Sequence, residues 1–228
     1  MTKLLTEKNM KSTAIISFGR KQSERCKNKM LRDFNTTTLT DIMLEKLGSS
    51  KFETFFAGFD EEFRNKADKH GVQFLQRTEK SSIIDEPIAE ILSFLQDINH
   101  ENILLVNPCL PMLKLNTIES FLESCIEHGE EASFSISLEN NYFMMDENTP
   151  INFDPNLKTI NTKDVNGIYS FSHALYYFNR EYFLSNGRYW DWNKVRFVKM
   201  GNKYELFDVD TENDFIMAEA LFTNSEYI

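Results

Sequence analysis

The chain has few cysteines, and they form no pattern. Cys26, Cys109 and Cys125 are odd in number and lack C-x-x-C spacing. That excludes a disulfide framework and a zinc knuckle, and it points to a reducing, cytoplasmic setting. Long apolar runs are missing as well, none approaching the roughly 18 residues of a membrane span. The polar segment Met1 to Ser12 lacks the apolar core of a signal peptide and reads as a tail. Positive charge is in deficit: 25 Lys and Arg against 35 Asp and Glu leave a net charge of -10. A non-specific nucleic-acid partner, which calls for a basic face to displace phosphate counterions, is thereby disfavoured. The four histidines show neither H-x-x-x-H nor H-E-x-x-H spacing. Glycine-rich phosphate cradles are absent too, with no G-x-x-x-x-G-K-[ST] and no G-x-G-x-x-G.

What is present is the alternation of an α/β protein. An apolar share of 41% over 228 residues suits one domain with an embellishment. Thr13 to Phe18 is a β-branched and aromatic run that predicts a buried strand. Thr38-x-x-Asp41 then caps a helix whose stripe is Ile42, Met43, Leu44 and Leu47. Lys51 to Ala57 predicts a second strand, Asp60 to His70 a helix stopped at Gly71, and Val72 to Leu75 a third strand. Ile88, Ile91, Leu92 and Leu95 recur at helical spacing, which predicts a helix over Glu86 to Asp97. Asn102 to Val106 reads as a central strand, Asn116 to His128 as a helix and Ala132 to Leu138 as the fifth strand. Ala174 to Phe178 and Asn193 to Val198 resume strands, and Phe215 to Phe222 is a helical run. The expected fold is a mostly parallel twisted sheet flanked by helices on both faces. Residues 1–12 are the tail and 13–228 one domain. Glu139 to Ser172, rich in Asn, Asp and Thr, is an irregular insertion after the fifth strand, either a lid or dimerisation element or a plain excursion.

Chemistry concentrates at two ends of the chain. The segment after the first strand, Gly19 to Lys29, carries Arg20, Lys21, Arg25, Lys27 and Lys29, five cations in eleven residues. At the carboxyl end of a central strand such donors suit a polyphosphate. Near the other end, Asp208 and Asp210 alternate, so an extended backbone projects both carboxylates to one side. Thr211-x-x-Asp214 follows as a capping box. Aligned carboxylates at such a junction suit a hard divalent cation, the plainer reading being a solvated acidic turn.

Together these segments resemble the acylneuraminate cytidylyltransferases, over about Thr13 to Phe222. The family's A-R-x-x-S-K-R-x-x-x-K-N is similar to Gly19-Arg20-Lys21-Gln22-Ser23-Glu24-Arg25-Cys26-Lys27-Asn28-Lys29-Met30, which keeps both Arg, the Ser and the Lys. Gly71 to Arg77 resembles G-V-x-V-x-x-R, and Leu105 to Pro111 resembles L-L-Q-P-T-S-P. Asp208-Val209-Asp210-Thr211-Glu212-Asn213-Asp214 with Ala218-Glu219 is close to D-I-D-T-x-x-D-x-x-x-A-E, the most specific match.

The resemblance implies a nucleotide-diphospho-sugar transferase-like Rossmann-type fold and transfer of CMP from CTP to a sialic-type sugar acid. It implies that Arg20, Lys21, Ser23, Lys29 and Arg77 hold the nucleotide, and that Asp208 and Asp210 carry Mg²⁺. Lys29 and Asp210 become the catalytic pair, while Asn107, His173 and Tyr176 face the sugar acid. Membership also implies a homodimer. The family's Y-R-x-N-G-A-x-Y is here Tyr169-Ser170-Phe171-Ser172-His173-Ala174-Leu175-Tyr176, without the Arg, Asn and Gly. Those changes fall where the sugar acid is read. Two alternatives therefore stay open: a non-catalytic subunit of a surface-glycan pathway, and transfer involving another nucleotide or sugar.

Overall fold

The computed structural model describes residues 10–83, 86–129 and 132–223. Its centre is a seven-stranded sheet in the order β3-β2-β1-β4-β6-β5-β7. The strands are β1 (Thr13–Phe18), β2 (Glu53–Gly58), β3 (Gln73–Gln76), β4 (Asn102–Val106), β5 (Ala132–Glu139), β6 (Ile168–Asn179) and β7 (Val195–Lys199). The helices are α1 (Leu39–Gly48), α2 (Glu61–Lys69), α3 (Ile88–Ile91), α4 (Leu115–His128), α5 (Arg180–Asn186) and α6 (Glu212–Thr223). Only β6 runs against its neighbours, antiparallel to both β4 and β5. The expected mostly parallel sheet, covered on both faces, is observed.

Alternation along the central strands divides the core in two. Ile15, Leu104 and Val106 face a cluster closed by α1, α2, α4 and α6, through Leu44, Phe63, Leu122 and Phe215. Ala14, Ile16, Ile103 and Leu105 face a second cluster, closed by Leu92, Phe94 and Leu95 and by Phe183 of α5. With both faces buried, these strands are continuous apolar runs. The chain leaves β1 toward β2 on one side, while β4 lies on the other. The crevice beyond the carboxyl ends of β1 and β4 is therefore the topological switch point of the sheet, where such folds bind ligands.

Several expectations need correction. Residues 1–9 of the expected tail lie outside the described residues, but Met10 packs on the core and Ser12 O accepts bonds from Glu101 N (2.9 Å) and Asn102 N (3.1 Å). The helix expected over Glu86 to Asp97 is the single turn α3 followed by a 3₁₀ turn, Ser93–Asp97. Phe94 lies off the helical stripe yet is buried with Leu92 and Leu95, which the tighter winding allows. β6 begins at Ile168, inside the segment expected to be irregular. Its first half is joined to β5 through serine hydroxyls, Ser137 with Ser170 at 2.8 Å and Ser172 with Ser135 at 2.6 Å, so it has no apolar alternation to announce it. α5 was not anticipated, although Asn179 caps it by accepting from Tyr182 N and Gly187 ends it at φ +66. No described helix is long and apolar enough to cross a membrane.

Candidate active site

A cleft of about 440 Å³ opens at the switch point. Arg20, Ser23, Lys29, Arg77, Asn107, His173 and Tyr176 all line it, seven residues of the site read from sequence. They arrive from the segment after β1, the residue after β3, the residue after β4, and the bulged middle of β6. The β1 segment can turn here because Gly19 is bare. A Cβ at Gly19 would stand 3.0 Å from the Phe63 ring and 3.1 Å from Phe56, which pack together beneath it.

Arg77 lines the cleft, yet its donors are spent inside the protein. Nη1 donates to Gly19 O at 3.1 Å, Nε to Ser81 Oγ at 3.3 Å, and Nη2 to Ser81 O. Burial, with the charge of Arg20 nearby, brings its pKa down to about 10. Those bonds make Arg77 a strut that fixes the β1 segment. Lys21 is likewise not in the cleft: it forms an ion pair with Glu62 of α2, because that acidic first turn faces the start of the segment.

The acidic couplet lies one residue behind the lining. Val209 between the two aspartates is fully buried, and its N–H donates to Cys109 O at 2.9 Å. Asp208 Oδ2 accepts from Asn107 Nδ2 at 3.2 Å, while Asn107 Oδ1 accepts from Cys109 N at 2.9 Å. Asn107 thereby supports Asp208 rather than offering a free amide. Asp208 Oδ1 is buried without a partner. Burial and the charge of Asp210 push the Asp208 pKa up, opposed by Lys29, Asn107 and His173. Asp210 Oδ1 meets Arg25 Nη2 at 2.9 Å and Lys29 Nζ at 3.3 Å, and Lys29 Nζ donates to Val209 O at 2.6 Å. Burial works against the charge of Lys29, but Cys109, Asp210 and Asp208 hold its pKa above the ordinary value.

These bonds join residues about 180 positions apart, so the cationic segment and the acidic couplet do face one another. The capping box forms as expected, Thr211 Oγ1 accepting from Asp214 N at 3.2 Å and Asp214 Oδ2 from Thr211 N at 2.7 Å. Arg32 chelates Glu212 at 3.0 and 2.8 Å and lies 3.8 Å over the Phe215 ring, bolting the segment to α6.

A bulge in β6 aims the remaining groups. Between the pairs Phe134–Tyr176 and Ile136–Phe171, Ser135 alone stands opposite residues 172–175. Its buried hydroxyl fills the bulge, accepting from Leu175 N at 2.9 Å. His173 sits at the crest with φ +52, and its Nδ1 lies 2.7 Å from the Tyr176 hydroxyl. Burial, aided by Asp208, pushes the Tyr176 pKa up to about 12.

The lining also includes Ile83, Ile88, Ile91, Tyr189 and Cys109, which sequence reading did not place there. Ile88 and Ile91 belong to a helical stripe that reads as ordinary core, Ile83 was given no role, and Tyr189 is held by stacking on Phe178 at 4.8 Å. Arg25, matched to the second arginine of the first motif but assigned no role of its own, is brought onto Asp210. The donor set of Asp208 and Asp210 fits a hard divalent cation, since Oδ1 of Asp208 is an orphaned buried acceptor. Among the described residues no group of three or more metal-type ligands occurs. Phosphate oxygens and water would have to complete the shell, as is usual for Mg²⁺.

A family model described as cytidylyltransferase matches residues 14–221. No curated protein matches the chain. Among solved structures, a CMP:2-keto-3-deoxy-manno-octonic acid synthetase complexed with CTP superposes with a TM-score of 0.65 at 11% identity, over 92% of this chain and 98% of its own. A 4-diphosphocytidyl-2C-methyl-D-erythritol synthase from Anaerococcus prevotii gives 0.66 at 11% identity, over 94% and 100%. A cytidylyltransferase from Leptospira borgpetersenii serovar Hardjo-bovis gives 0.58 at 15%, over 95% and 90%. At such identities the likeness carries the fold.

Proposed function

The chain belongs to the cytidylyltransferase family, and from that premise we propose an Mg²⁺-dependent enzyme that transfers CMP from CTP to a hydroxyl of a sialic-type sugar acid, releasing pyrophosphate. One observation carries the reading: Lys29 Nζ, on the cationic segment, lies 2.6 Å from Val209 O and 3.3 Å from Asp210 Oδ1 beside the cleft. Phosphates and a cation would share that junction. A structural relative named for CMP transfer to a keto-deoxy sugar acid, and holding CTP, supports the substrate pair.

In this reading Arg20 and Ser23 hold the triphosphate along the segment, and Arg77 keeps the Gly19 carbonyl and the turn in place. Asp208 and Asp210 would hold Mg²⁺, which when bound neutralises phosphate charge and lowers the pKa of the attacking hydroxyl. The acceptor hydroxyl gives its proton to solvent and its oxygen forms a bond to the α-phosphorus, while the bond from that phosphorus to the bridging β-phosphate oxygen breaks and that oxygen leaves with pyrophosphate. Lys29 and Arg20 stabilise the charge gathering on pyrophosphate. Positioning and electrostatics carry such a transfer without a covalent intermediate. Two copies would pair through the excursion between β5 and β6, which exposes Met145, Ile151 and Ile160. A monomeric mass in solution would sink that part alone.

Thermal melts with CTP, UTP, GTP and ATP in Mg²⁺ test the nucleotide, since a ligand at 100 times its Kd adds about 2.7 kcal/mol of stability. CTP should raise Tm most. No shift with any of them favours a non-catalytic subunit, and a larger shift with another triphosphate reassigns the nucleotide. Pyrophosphate release with a panel of sugar acids tests transfer, and Asp210→Ala should abolish it. Substantial turnover by that variant refutes the role of Asp210.

A further inference from the structure

His173 occupies a left-handed backbone conformation. Its φ of +52 lies in the left-handed region, where glycine is at ease and other side chains are strained. Strained residues persist where the surroundings over-determine them, and they collect at ligand sites. Here the surroundings are the bulge plugged by Ser135 and the strand pairing on both sides of β6.

The side chain also has a defined partner and a defined outlook. Its Nδ1 is 2.7 Å from the Tyr176 hydroxyl, and the residue lines the cleft. Burial, aided by Asp208, pushes the Tyr176 pKa up, so the phenol keeps its proton and can donate to Nδ1 of the neutral ring. A phenol donating to Nδ1 leaves the imidazole proton on Nε2, by the same logic that second partners fix histidine tautomers at metal sites. The ring then presents an N–H donor on the cleft side.

Of the other cations lining the cleft, Arg20 stands on the segment after β1, where the triphosphate is read, and the remaining two are held by bonds within the protein. Arg77 is consumed by Gly19 and Ser81, and Lys29 by Val209 and Asp210. Ser170, where the motif carries arginine, is turned to Ser137 at 2.8 Å. On β6 the groups that face the cleft are His173 and Tyr176.

We propose that His173, oriented by Tyr176, is the specificity-determining donor that binds the carboxylate of the acceptor acid. The inference rests on the sugar-acid reading and deepens it. One imidazole N–H is a single donor rather than a bidentate fork, so it would favour small acids whose ring lies against Tyr176 and Tyr189.

The test compares wild type with His173→Gly, His173→Asn and Tyr176→Phe. N-acetylneuraminic acid, 2-keto-3-deoxy-manno-octonic acid and their methyl esters serve as probes in pyrophosphate release and in calorimetric binding to the CTP-loaded protein. His173→Gly should melt higher than wild type, because the strain is gone, yet its KM for the acid should rise about tenfold or more while KM for CTP holds. His173→Asn, which tolerates φ > 0 and keeps a donor, should recover part of the loss. Tyr176→Phe should fall between, and the esters should be insensitive to all three changes. An unchanged acid KM in His173→Gly overturns the inference and leaves the transfer reading intact. Acid binding that depends on His173 without any turnover overturns the transfer reading instead. Acids that neither bind nor react overturn both.

Discussion

Replacing Arg77 by lysine separates a strut from a nucleotide ligand. The guanidinium spans two buried backbone carbonyls, Gly19 O at 3.1 Å and Ser81 O, and also reaches Ser81 Oγ. An ammonium at the same place keeps the charge but cannot span both carbonyls as a fork. One carbonyl is then left unpaired at a cost of about 1–3 kcal/mol. The burial that already brings the arginine pKa down to about 10 would act at least as strongly on the more tightly hydrated ammonium, so no relief offsets the loss. The destabilisation is therefore about 1–3 kcal/mol, or roughly 2–12 °C in Tm for a chain of this length. The assay is a thermal and a urea melt of the nucleotide-free protein, followed by the CTP-induced shift. A strut predicts that the nucleotide-free protein already melts lower, with weaker CTP binding as a consequence. A nucleotide-free Tm within a degree or two of wild type, together with lost CTP binding, would show that Arg77 touches the nucleotide directly.

Asp208→Asn should abolish transfer yet raise Tm at neutral pH, because burial and Asp210 hold the folded-state pKa above the ordinary value. A carboxyl with a raised folded pKa gains stability as pH falls through that pKa. The advantage of the asparagine variant must therefore shrink on acidification and vanish below the unfolded pKa, as melts across pH would read; a constant gap sinks the argument. Cys109, whose pKa burial pushes up to about 11 from 9.0, should carry roughly a hundredfold less thiolate than an ordinary cysteine and resist alkylation accordingly. Rapid labelling located at Cys109 by mass spectrometry contradicts that. Thr211→Ala removes the cap on Asp214 N and should cost about 1 kcal/mol, seen as a modest drop in Tm.

The sequence reads well where one physical term dominates. β1 and β4 are predicted to the residue because burial on both faces makes them unbroken apolar runs. α1 is predicted from the reciprocal Thr38–Asp41 cap, which forms with Thr38 Oγ1 accepting from Asp41 N at 3.1 Å. Reading fails where the partner is backbone or distant. Arg77 shows its charge in the sequence, but the carbonyls that consume it belong to Gly19 and Ser81. Lys21 could be assigned only once α2 placed Glu62 against it. The serine-laced half of β6 resembles a loop because its pairing depends on hydroxyl contacts between residues some 35 apart. The left-handed conformation of His173 follows from that bulge, so no local signal could announce it.

The junction between the cationic segment and α6 looks electrostatic on the surface, yet its stability must come from elsewhere. Arg25 and Asp210 are 69% and 40% exposed, and Arg32 and Glu212 are 33% and 50% exposed. Pairs of that kind contribute about 0–1 kcal/mol each and are screened by salt. Beneath them Phe34 packs edge-on against Phe215 at 5.1 Å and Phe222 at 5.4 Å, with Phe34 and Phe215 buried. Burying one such side chain is worth about 1.5–3 kcal/mol. The aromatic contacts therefore hold α6 and the preceding couplet in place, while the ion pairs set the angle at which Asp210 meets Lys29. That division suits a phosphate site. A ligand with several negative charges would displace exposed Arg25 from Asp210 at little cost, and the apolar clamp below would keep the two aspartates where they are.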